Sequence, residues 1–149
     1  MNEFFFQKRV LISAAVTAVF TWLYDFIVHA NLLMDAWLPY ASLFRPMEQM
    51  QDFMAWCIGY HLALALLFAA GFTAWRDKVK VGKVGTSECP YRKGMKFGVW
   101  VGALLAVPQL MTYAWLPFDA VNLPVAWAVS ELVKWTVAGF ILTKLYKKA

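Results

Sequence analysis

Charge is what this sequence has least of. Only 15% of its residues are Asp, Glu, Lys or Arg, where a water-soluble domain carries about 25%. That scarcity excludes a soluble globule, because too little polar surface exists to cover one. Cysteine is almost as rare. Cys57 lies in an apolar run and Cys89 in a charged loop, so the two sit at different depths, which argues against a disulfide framework and predicts free thiols. The chain has two histidines and lacks the Glu-x-x-His spacing of a di-metal bundle. It also lacks a basic stretch interleaved with aromatics, so its net charge of +5 does not point to nucleic acid.

What the chain has in quantity is apolar surface: 62% of residues are apolar and 17% aromatic. At 149 residues it reads as one domain, 1–149. Four apolar runs, at about 10–33, 52–75, 95–116 and 124–146, each reach the roughly 20 residues that a helix needs to cross about 30 Å of hydrocarbon. The first run follows Lys8 and Arg9, as a signal peptide would. It is longer than a signal core, contains Trp22 and Asp25, and is read as a retained helix. The fold class is therefore an all-α integral membrane protein, a bundle of four transmembrane helices.

The basic residues give an orientation. Twelve of the 14 Lys and Arg flank the runs on one side, before the first, between the second and third, and after the fourth. The opposite side holds Arg45 against Asp35, Glu48, Asp52 and Asp119. The positive-inside rule predicts cytoplasmic N- and C-termini and a cytoplasmic central loop in a bacterial-type inner (plasma) membrane. Trp37, Tyr40, Tyr113, Trp115 and Phe118 mark the outer ends of the spans, and Trp75, Tyr91 and Tyr146 the inner ones. The apolar segment from about Met34 to Met50 is expected to be a helix on the outer bilayer surface between the first two spans. The basic loop from Arg76 to Lys96 is read as a topology determinant touching anionic headgroups.

Two ridges of four-residue spacing predict packing. Gly94, Gly98, Gly102 and Ala106 form a small-residue face on the third helix, along which a second backbone can approach closely. Ala55, Gly59 and Ala63 repeat the pattern on the second. On the first helix Ser13, Thr17, Thr21, Asp25 and His29 make a polar stripe, which lipid solvates poorly. Back-bonding to the helix's own carbonyls accounts for the hydroxyls but leaves Asp25 unexplained.

Ionisable groups in hydrocarbon are costly, about 2.5–3.5 kcal/mol for Asp or Lys near a helix centre. The chain has Asp25, His29, His61, Glu131 and Lys134, with Gln109 as a neutral companion. Counting about 1.5 Å per residue from each midpoint puts Asp25, His61, Gln109 and Glu131 near one level in the outer half, with Lys134 close to the middle and His29 nearer the surface. Three functions fit this layer. It can be architectural, Lys134 pairing with Glu131 or Asp25, in a small membrane subunit or interaction protein within a larger complex or homo-oligomer. It can be a haem or transition-metal site built on His29 and His61. It can be a proton or solute pathway through Asp25, Glu131 and Lys134, with Pro108 breaking the third helix to free carbonyls. The first is preferred. The expected partners are the bilayer and other membrane subunits or a second copy. An enzyme is disfavoured: no nucleophile stands beside a base, no phosphate-cradling loop or metalloprotease motif occurs, and Ser130 next to Glu131 is not enough.

Overall fold

A computed structural model of the chain describes residues 8–43, 49, 53–79, 89–114, 116, 120 and 122–147. The central loop from 80 to 88, most of the segment from 44 to 52, and Trp115, Phe118, Asp119 and Lys148 lie outside the described residues. All described elements are helical. Four are long: α1 (Lys8–Ile27), α2 (Met54–Val79), α3 (Pro90–Met111) and α4 (Asn122–Lys147). The stretches Lys8–Leu32, Met54–Arg76, Pro90–Ala114 and Asn122–Leu145 are each long and apolar enough to cross a membrane, the mark of a multi-pass membrane protein.

The third helix starts earlier than its apolar run. Pro90 opens it after Cys89, because a proline ring fixes φ for the first helical turn and lacks only an N–H that would go unbonded there. At its other end Pro108 does not break it. The helix runs on to Met111 and tightens into a 3-10 turn, Thr112–Ala114. Pro108 leaves the Leu104 carbonyl without its usual i+4 donor, yet the helix continues for three residues beyond it. After α1 the backbone widens into a π-turn, Val28–Leu32, with Leu33 N–H donating to the Val28 carbonyl at 2.8 Å. A helical turn, Met34–Trp37, and a 3-10 turn, Leu38–Leu43, follow. The Trp37 indole donates to the His29 carbonyl at 3.1 Å, tying this segment back onto the π-turn.

The helices form two antiparallel hairpins, α1–α2 and α3–α4, joined where α1 meets α4. The α3–α4 pair is the closest. A Cβ on Gly98 would overlap the Trp135 carbonyl and lie 2.8 Å from the Thr136 Cα, and one on Gly102 would lie 2.9 Å from the Leu132 Cα. Gly94 meets Gly139 in the same way. Missing side chains on α3 thus let the two backbones touch, and van der Waals contact does the work that water does in a soluble protein. Ala55, Gly59 and Ala63 on α2 are different: all three are exposed, and a Cβ on Gly59 would meet nothing within 4 Å. Spacing alone does not show whether a small-residue face is covered.

The core lies toward the basic end, where α1 begins. Phe68, Phe72, Trp135, Ala138 and Leu142 are buried there, with Phe20, Trp75 and Phe97 packed around them. The Phe68 ring lies 4.8 Å from Trp135 and 5.2 Å from Phe97, centroid to centroid. Val10 and Ala14 of α1 meet Ala69 and Ala70 of α2 at the same end. Toward the far end α2 separates from the bundle, and every residue from Met54 to Tyr60 is exposed. Elsewhere the outer face is apolar: Val19, Phe26, Leu67, Trp100 and Leu104 all stand exposed, as lipid-facing side chains do.

Candidate functional site, a buried charge cluster between the hairpins

The polar stripe of α1 turns inward. Ser13, Thr17 and Thr21 are buried at 2%, 1% and 1% exposure, so a row of small hydroxyl side chains fills the seam between α1 and its neighbours. Thr21 Oγ1 donates to the Ala18 carbonyl at 3.2 Å. Thr17 Oγ1 is buried without a hydrogen-bond partner. The next member of the stripe, one turn on, is Asp25.

Asp25 faces α4. Lys134 Nζ donates to both of its carboxylate oxygens at 2.9 Å and to Glu131 Oε1 at 2.6 Å. Lys134 Nζ thus lies within hydrogen-bond distance of three carboxylate oxygens on two helices. The second Glu131 oxygen accepts from the Trp135 indole at 2.8 Å. Glu131 and Lys134 are both buried. Helical geometry explains the local half of this arrangement: Glu131, Lys134 and Trp135 are three and four residues apart, so they share one face of α4. Asp25 reaches them across the hairpin junction, and the Tyr24 hydroxyl beside it donates to the Ser130 carbonyl at 3.3 Å.

The two histidines flank the same carboxylate. His61 Nε2 lies 3.7 Å from Asp25 Oδ2, and His29 Nε2 lies 3.9 Å from Asp25 Oδ1. His61 Nδ1 sits 3.3 Å from Thr21 Oγ1. One face of His61 also closes a groove of about 240 Å³ between α1 and α2, otherwise walled by Ala18, Val19, Trp22, Ile58 and Leu62. His29 falls in the π-turn, a distortion that recurs at functional sites. Both imidazoles thus turn a nitrogen toward Asp25 rather than across an open space toward each other. Among the described residues no group of three or more His, Cys, Asp or Glu side chains is arranged to hold a metal ion.

Of the six residues in the expected layer, the structure brings five together and leaves out Gln109. The α3–α4 contacts pair Gly102 with Glu131 and Leu132, and Gly98 with Trp135. Extended along that register, Gln109 falls level with Pro124, about 10 Å along the axis from Glu131. Its carbonyl accepts from Thr112 Oγ1 at 2.6 Å. A depth counted from the midpoint of each span ignores where neighbouring helices start, and α3 begins five residues before its apolar run. Sequence reasoning passed over Trp135 and the contact of Thr21 with His61. The four-residue step from Glu131 to Trp135 was a usable signal for the first, while nothing local foretells the second, since it depends on how α1 and α2 are paired.

Comparison with known protein families, curated proteins and solved structures finds no match for the chain.

Proposed function

We propose that the chain is a small integral membrane subunit or interaction protein, a four-span module that packs against other membrane proteins or a second copy of itself. The carrying observation is the closure of the charge cluster. Lys134 bonds both oxygens of Asp25 and one of Glu131, and the last Glu131 oxygen is taken by Trp135. Such a closed network supports a clamp that fixes α1 against α4, rather than a lined conduit with free ligating groups. Its charges hold register between hairpins, the best-attested use of buried ion pairs. The separated far half of α2, with Trp56 at 76% exposure, supplies surface for a neighbour.

This reading places the protein in an inner (plasma) membrane with both termini and the basic end in the cytoplasm. Lys8, Arg9, Arg76, Arg92, Lys93, Lys96 and Lys144 all belong to that end of the antiparallel bundle, which supports the assignment. The test is native electrophoresis and mass measurement after extraction in mild detergent, with identification of whatever co-purifies. A reproducible complex or homo-oligomer is expected. A protein that runs alone as a monomer at every detergent strength sinks the proposal.

A further inference from the structure

We propose that Asp25, His29 and His61 form a proton-binding site in which His61 Nε2 is the acceptor. The inference rests on the cluster's geometry and is independent of whether the protein is a subunit.

Charge is the starting point. Two carboxylates and one ammonium leave the cluster at −1 while both imidazoles are neutral. All four carboxylate oxygens are already engaged by Lys134 or Trp135 at 2.6–2.9 Å. The bases left to take a proton are the imidazoles, one on each oxygen of Asp25. A residual charge is expensive in a bundle surrounded by lipid, and one proton cancels it.

The bonding of Thr21 selects His61. The Thr21 hydroxyl gives its single hydrogen to the Ala18 carbonyl, so toward His61 Nδ1 it offers a lone pair. Nδ1 then carries the ring hydrogen, and Nε2 presents its own lone pair to Asp25 Oδ2 at 3.7 Å. Two electron-rich atoms oppose each other until a proton lies between them. Among the described residues, the other charged or titratable groups acting on His61 are Glu131 and Lys134 from α4, with Tyr60 beside it on α2 and His29 across Asp25 on the other carboxylate oxygen.

The side chains of His29, Asp25 and His61 are 41%, 19% and 14% exposed. Transfer of one proton from hydronium to His61 Nε2 breaks an O–H bond, forms an N–H bond, leaves water and takes the cluster from −1 to 0.

With only two histidines, NMR of histidine-labelled full-length protein in nanodiscs reads both rings directly, and His29→Gln assigns them. Removing a neighbouring carboxylate should lower the pH midpoint of His61, by about one to three units for Asp25→Asn and by less for Glu131→Gln. Lys134→Gln should raise it. Each carboxylate variant keeps a neutral pair with Lys134, so the bundle retains a satisfied junction, and circular dichroism checks each fold. His29→Gln exchanges one neutral side chain for another and should leave the His61 midpoint in place. A His61 midpoint indifferent to both carboxylate variants, or one that falls in Lys134→Gln, overturns the site.

Discussion

Lys134 answers to two carboxylates on two helices, and no other cation among the described residues stands in that cluster. Lys134→Met therefore removes the counter-charge of both at once. Breaking a buried pair from one side costs about 3–5 kcal/mol, and thermal unfolding in detergent, followed by circular dichroism, should show a loss of that order. Trp135→Phe keeps an aromatic ring beside Phe68 and removes the donor to Glu131 together with part of the buried indole volume. A hydrogen bond to a charged group is worth about 1.5–3 kcal/mol, so this variant should fall clearly short of Lys134→Met in the same assay. An equal loss in both would mean that packing, not charge, holds the junction. The identity of these groups can be read from the sequence, because charge in an apolar run is conspicuous. Their azimuth cannot: depth along four separate runs puts Gln109 beside Glu131, whereas the helix register separates them.

At the level of elements, the four spans are plain in the sequence because lipid demands about 20 apolar residues in a row. Which spans touch is not plain, since lipid-facing and buried positions here are equally apolar. Phe68 and Leu67 are adjacent and alike in composition, yet one is buried and the other 62% exposed. The glycines show the same limit. Gly98→Ala drives a methyl into the backbone of α4, and overpacking of this kind costs about 1–3 kcal/mol. Gly59→Ala points into open space and should be neutral or gain up to about 1 kcal/mol from helix propensity. Side-by-side melts of the two variants test the pairing of α3 with α4 without touching a charge. The π-turn after α1 left no trace in composition.

For the whole molecule, the proposed orientation makes the two cysteines reporters of sidedness. Both are exposed, and Cys89 precedes α3 at the basic end. In intact cells a membrane-impermeant maleimide should leave Cys89 unlabelled in a Cys57→Ser background and should label it once the membrane is lysed. Labelling before lysis reverses the topology.

The junction between the hairpins also has a schedule. Asp25 and Lys134 are 109 residues apart, and a ribosome adding about 5–20 residues per second takes on the order of 5–20 s to supply the second after the first. During that interval the opening helix sits in the bilayer with an acidic group whose mate has not been made. A chain cut short before Lys134 never leaves this state and keeps an acidic group in the bilayer without its ammonium.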